Sequence, residues 1–117
     1  MRLLNAYNLM ILKPAPTKDV AKLNKLETSW HLILRCNHSI EAIYVQAFTL
    51  KLGDDCRYTP DFLAINKDGS ATFYECKGFM RDDALVKLKV AARQFSMFKF
   101  VLVTRVKGTW VQQEISA

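Results

Sequence analysis

Tyr58-Thr59-Pro60-Asp61-Phe62 and Phe73-Tyr74-Glu75-Cys76-Lys77-Gly78, separated by a stretch containing Asn66-Lys67-Asp68-Gly69, decide how this chain folds. Arg57 to Ile65 and Ser70 to Lys77 are short runs rich in aromatic and apolar residues, and the polar tetrapeptide between them reads as the turn of a β-hairpin, with glycine supplying the positive φ. If the loop is Lys67, Asp68 and Gly69, Asp61 stands directly opposite Glu75 and both carboxylates share one face. Glu75 and Lys77 are two apart, so they also point the same way along a strand. A two-residue Asp68-Gly69 turn would instead place Asp61 opposite Cys76 and turn the two acids to different faces. Pro60 has no N–H to donate to a ladder, which predicts an edge, bend or bulge immediately before Asp61.

Two carboxylates and an amine brought together on neighbouring strands can hold a divalent cation and activate water beside a phosphate. The alternative is a structural salt bridge among the three. Glu-x-Lys is weak as a motif by itself. Its weight here comes from the upstream Pro-Asp, the apolar surroundings of both acids and the symmetry of the hairpin, because charges inside buried strands are costly unless paired or metal-bound.

Outward from the hairpin the periodicities change. From Thr17, a plausible N-cap, to Arg35, the residues Val20, Leu23, Leu26, Trp30, Ile33 and Leu34 recur at helical spacing. At about 100° per residue, Glu27 falls between Val20 and Leu34, to one side of the stripe and facing inward; a carboxylate at the margin reaching solvent or a lysine is the competing reading. Ile40 to Leu52 reads as one strand, or two short ones with a bend, ending near Gly53-Asp54-Asp55. A second helix is expected from about Asp82 to Phe95, packing Ala84, Leu85, Leu88, Ala91, Ala92 and Phe95 on the sheet, with Val86 and Val90 on its other side. Lys87, Lys89 and Arg93 on this helix are candidate phosphate contacts or a solvated face. Phe98 to Thr104 reads as a buried strand and Trp110 to Ile115 as a final edge strand. Residues 1–16, with Leu3-Leu4 and Leu9-Met10-Ile11-Leu12 ahead of Pro14-Ala15-Pro16, read as an arm docked on the core or exchanged between subunits.

A chain of 117 residues, half of them apolar, can bury one core and is most simply a single domain spanning 1–117. No apolar run approaches the length of a membrane span, and no convincing signal peptide opens the chain, so a soluble protein of the cytoplasm is expected. Three cysteines, Cys36, Cys56 and Cys76, without paired spacing argue against a disulfide framework. Cys36, His38, His31 and Cys56 lack a Cys-x-x-Cys pair, and ordinary buried thiols and surface histidines account for them better than structural zinc does. A net charge of +6 and a pI near 9.4 favour a polyanionic partner held in a salt-dependent way. No recognition helix or RNA-binding signature is evident, which favours backbone and shape contacts over base readout.

Tyr58-Thr59-Pro60-Asp61-Phe62, then Glu75-Cys76-Lys77-Gly78, then a lysine-containing helix and the apolar strand Phe98 to Thr104, resemble the PD-(D/E)XK nuclease superfamily over roughly residues 20 to 105. The closer likeness is to small phage members, Holliday-junction-resolving endonucleases among them. The resemblance implies a restriction-endonuclease-like α/β fold, a central mixed β-sheet flanked by helices. It also implies a Mg²⁺-dependent phosphodiesterase, with Mn²⁺ as a possible substitute. Asp61 and Glu75 would be metal ligands, the Cys76 carbonyl a further ligand, and Lys77 would stand beside the attacking water. Glu27 matches the acidic residue that the family often adds from its first helix, although Asn24 stands where serine is more usual. The implied substrate is DNA, branched DNA foremost, and a symmetric cut of a junction would require a homodimer, working in the host cytoplasm if the protein is phage-encoded. A noncatalytic DNA-binding or assembly module retaining the same fold is the alternative.

Overall fold

The computed structural model describes residues 22–78 and 82–116. Thr17, Val20 and the arm expected at 1–16 lie outside them. The described elements are helix α1 (Lys25–Arg35), strands β1 (Ile40–Val45), β2 (Leu50–Gly53), β3 (Cys56–Tyr58), β4 (Phe62–Asn66) and β5 (Ala71–Cys76), helix α2 (Asp82–Gln94), and strands β6 (Lys99–Val106) and β7 (Thr109–Glu114). Five strands form one mixed sheet in the order β1-β4-β5-β6-β7, and β2 pairs with β3 in a separate two-stranded sheet. Only β5 and β6 run parallel within the larger sheet, and α2 is the crossover between them. The fold class is therefore α/β. Among the described residues no helix is long and apolar enough to cross a membrane.

The hairpin adopts the three-residue loop. Phe62 pairs with Tyr74, Leu63 with Phe73, Ala64 with Thr72 and Ile65 with Ala71. Asn66 N–H donates to Ser70 O at 2.8 Å to close it, and Gly69 takes φ 91° inside it. The Asp68 carboxylate accepts from both the Ser70 amide and hydroxyl, at 2.9 and 2.6 Å, so the turn is held by its own side chains.

The expected single strand from Arg57 to Ile65 is divided. Thr59, Pro60 and Asp61 lie outside any strand, and β3 on one side of them belongs to a different sheet from β4 on the other. Pro60 cannot donate, which suits it to the corner where the chain changes sheets. Gln46 makes the matching corner after β1: its φ is 47°, and its N–H donates to Asp61 O at 2.9 Å. The run from Ile40 to Leu52 thus becomes two strands with a bend between them.

The first helix departs from expectation at its start. Residues 22–24 are not α-helical, and Asn24 caps a helix that begins at Lys25. Asn24 Oδ1 accepts from the Glu27 amide at 2.8 Å, and Glu27 Oε1 accepts from the Asn24 amide at 3.1 Å. This reciprocal box satisfies two donors that would otherwise be orphaned, and it explains why the helix starts here despite the apolar periodicity that begins earlier. Ile33, expected on the buried stripe, is 39% exposed, while Trp30 and Leu34 are buried.

Each face of the sheet carries its own core. On one, α1 brings Trp30 and Leu34 onto Val45, Phe62, Cys76, Val101 and Val103; Trp30 lies 5.6 Å from Tyr74 and 5.1 Å from Trp110, ring centre to ring centre. On the other, α2 and β2 cover Leu63, Phe73, Phe100 and Leu102. Phe73 stacks on Phe100 at 5.2 Å and meets Phe98 edge-on at 5.0 Å. Leu88, Ala91 and Ala92 are the buried side of α2, as its spacing predicts. Val86 is exposed, but Val90 packs against this core and does not belong to the outer strip.

Because Gly69 sits at a φ that costs an L-residue about 1–2 kcal/mol, Gly69→Ala should lower stability to urea by about 1 kcal/mol. An unchanged urea midpoint would show that the loop does not need this conformation.

Candidate active site

The corner at Pro60 delivers Asp61 to the end of β4 just as β5 finishes at Cys76. Asp61 and Glu75, 6% and 7% exposed, are the buried carboxylates of the described structure. Strand alternation puts both on the α2 side of the sheet, with Leu63 and Phe73, and turns the Cys76 side chain to the α1 side. Cys76 N–H donates to Asp61 Oδ2 at 2.8 Å. Lys77 N–H, by contrast, bonds Val103 O at 3.0 Å across to β6. Alternate residues of a strand bond to opposite sides, so the main-chain groups of Cys76, its carbonyl included, are directed towards β4 and Asp61.

Glu75 is held from two directions. Tyr58 Oη donates to Oε1 at 2.8 Å, and Lys77 Nζ stands 3.3 Å from Oε2. Asp61, Glu75 and Lys77 line one pocket of about 340 Å³, together with Gln46, Arg57, Tyr58, Thr59, Ala84, Lys87 and Leu88. Its floor is the pair of acids; its rim carries Arg57, Lys77 and Lys87.

Burial, and then the charge of Glu75, push the Asp61 carboxyl up to about 7, against the restraining hydrogen bond from Cys76. Burial also raises Glu75, with the hydrogen bond from Tyr58 and the charge of Lys77 opposing it. For Lys77, burial acts downwards, but the Glu75 carboxylate, with Asp61 and Glu27 behind it, outweighs burial and raises the amine above its ordinary value. Lys77 is therefore an ammonium at neutral pH. The Tyr58 hydroxyl and the Cys76 thiol are both raised, chiefly by burial and then by the nearby carboxylates, so both stay protonated.

The structure thus brings Asp61, Glu75 and Lys77 into one pocket with Lys87, and leaves Glu27, Cys76, Lys89 and Arg93 outside its lining. Glu27 is near enough for its charge to act on Asp61 and Lys77, but its side chain is engaged in the cap of α1 and does not line the pocket. Lys87 is on the rim, with Nζ 3.5 Å from Arg57 O. Lys89 and Arg93 are exposed one turn apart on α2, on a face rotated away from Lys87. The residues that sequence reasoning passed over are Tyr58, Gln46 and Arg57. Tyr58 and Arg57 read as members of a strand continuing into Asp61; only Pro60 hinted that they leave it. Of the thiols and imidazoles considered for zinc, Cys36 is exposed, Cys56 packs against the α2-side core, and His31 stacks on Phe62 at 5.6 Å.

As a cation site the side-chain donors are hard and all oxygen, the two carboxylates, which suits Mg²⁺ or Mn²⁺ better than a thiophilic ion; Cys76 does not line the pocket. Burial, and then the Glu75 charge, make the Asp61 carboxylate costly to ionise, a cost that a cation would offset. Among the described residues no group of three or more His, Cys, Asp and Glu side chains gathers as a ready ligand shell; Mg²⁺ characteristically completes its shell with water and substrate oxygens. No family model matches the chain, and no curated protein or solved structure is significantly similar to it.

The folded protein binds the Asp61 proton more tightly than the unfolded chain does. The contribution of this group to stability is thus fully present below its ordinary value of 3.8 and is lost as pH rises through about 7. Asp61→Asn keeps an acceptor for Cys76 N–H and removes the buried charge. In chelator at pH 8.5 it should be more stable than the wild type by on the order of 2 kcal/mol, and the gain should shrink towards pH 5. A difference in melting temperature that does not vary with pH would contradict the assignment of strain to the Asp61 charge.

Proposed function

We propose that this protein is a metal-dependent DNA endonuclease of the PD-(D/E)XK type, acting on branched DNA such as Holliday junctions. The observation that carries the reading is the pair of buried carboxylates and the ammonium of Lys77 sharing one open pocket at the ends of β4 and β5. Support also comes from the element order. Helix, strand, Pro-Asp strand, Glu-x-Lys strand, helix and strand follow one another as that superfamily requires, with the β2–β3 pair added before the Pro-Asp corner. The net charge of +6 suits a nucleic-acid backbone.

In this reading Asp61, Glu75 and the Cys76 carbonyl would hold Mg²⁺, and Mn²⁺ could substitute. A divalent ion held there would supply Lewis acidity towards a phosphate and a more acidic water. Lys77, being protonated, is a donor and not a general base: it orients the attacking water and stabilises charge growing on the phosphoryl oxygens. Arg57 and Lys87 on the rim meet the phosphates on either side. Glu27 contributes through its field from the cap of α1. Symmetric cutting of a junction needs two such sites, so the working form is a homodimer.

Purified protein on four-way junction, duplex and single-stranded DNA should cut the junction in Mg²⁺ and not in chelator. Asp61→Ala and Lys77→Ala should each lower the cutting rate by roughly 10²-fold or more, with much of the binding retained and the wild type eluting as a dimer in light scattering. DNA bound tightly but never cut, whatever the metal, would favour a noncatalytic module. Cutting that survives Asp61→Ala would remove the proposed centre.

A further inference from the structure

Tyr58 reaches the carboxylate pair from outside the sheet that carries it. It ends β3, in the two-stranded sheet, and crosses to Glu75 on β5. The two oxygens of Glu75 are thereby distinguished: Oε1 accepts a 2.8 Å hydrogen bond from a neutral hydroxyl, whereas Oε2 faces, at 3.3 Å, an ammonium whose side chain is 41% exposed. The second contact is longer and belongs to a flexible side chain at the pocket mouth, so it is the one that an arriving ion can displace. Tyr58, by contrast, belongs to a strand paired with β2, and its neighbour Thr59 is tied to Thr49 by a 2.8 Å hydroxyl contact.

We propose that Tyr58 is a positioning residue for the metal-binding carboxylate: it holds Oε1 of Glu75 so that Oε2 is the oxygen offered to a divalent cation, and binding of the cation releases Lys77 from Glu75 into the pocket. The inference rests on the metal-centre reading above and adds a role for the β2–β3 sheet. A hydrogen bond to the non-coordinating oxygen fixes the plane of a ligating carboxylate, and loss of such a partner typically weakens metal binding by about 10- to 100-fold. It also makes the arrival of the ion and the delivery of the ammonium a single event, because both compete for Oε2.

The test is equilibrium binding of Mn²⁺, followed by electron paramagnetic resonance of the free ion, on the wild type, Asp61→Ala, Tyr58→Phe and Thr49→Val. Tyr58→Phe keeps the ring and removes only the hydroxyl; Thr49→Val removes the hydroxyl contact at the end of the same small sheet without touching Glu75. The expected result is about a 10-fold weaker Mn²⁺ affinity in Tyr58→Phe, affinity near wild type in Thr49→Val, and loss of binding in Asp61→Ala. Equal affinity in Tyr58→Phe and the wild type, or an equal loss in Thr49→Val, overturns the positioning role while leaving the metal centre in place. A wild type that binds no Mn²⁺ overturns both. If Tyr58→Phe does not fold, proton NMR of the wild type decides: the Tyr58 hydroxyl proton should stay protected from exchange on saturation with Mg²⁺, and its loss would show that the ion displaces Tyr58 instead of Lys77.

Discussion

Asp61 and Glu75 line one pocket on the same side of the sheet because the loop between β4 and β5 is three residues long. With Gly69 in a left-handed conformation and Asp68 bonded to Ser70, that loop has one register, and the register sets which face of the sheet each charge occupies. A slip of one residue would bury Cys76 beside Asp61 and send Glu75 into the core beneath α1. Nearly everything else in the molecule follows that pairing. The aromatic stack of Phe73, Phe98 and Phe100 and the separate cluster around Trp30 are the two faces of the same alternation.

Two carboxylates in an apolar sheet are a standing cost, and the fold moderates it without removing it. Cys76 N–H supports Asp61, Tyr58 and Lys77 support Glu75, and yet both acids remain harder to ionise than in water. A purely structural ion pair would be expected to end balanced; here one ammonium serves two acids, with the Glu27 charge close by. That imbalance is physically informative. Protonation relieves the cost of ionising both acids, and a bound cation would do the same.

The corner formed by Gln46 and Pro60 is the second constraint. Both strands that leave the large sheet there feed the small one, and the small sheet places Tyr58 over the acids and Arg57 at the pocket mouth. The pocket therefore lies between two sheets and α2 and is not a simple groove on one sheet. Its position at the C-terminal end of β5, where the parallel crossover begins, is where α/β sheets generally leave an open crevice.

The hairpin, the bend before Asp61 and most of the buried side of α2 could be read from residue types and spacing alone, since alternation, turn chemistry and helical period are local properties of the chain; the convergence of Asp61, Glu75 and Lys77 was legible only for one of two hairpin registers, and the structure adopts that one. The start of α1 was legible too, in Asn24 and Glu27 three apart, but the apolar stripe running back to Val20 masked it: periodicity shows where a helix can lie, not where its amides find caps. Only the tertiary structure decided that Arg57 and Tyr58 leave the strand they seem to continue, that Lys87 joins the pocket while Lys89 and Arg93 do not, and which donor holds each oxygen of Glu75. Those outcomes depend on how one sheet packs over another, and contacts between residues distant in sequence have no local signature.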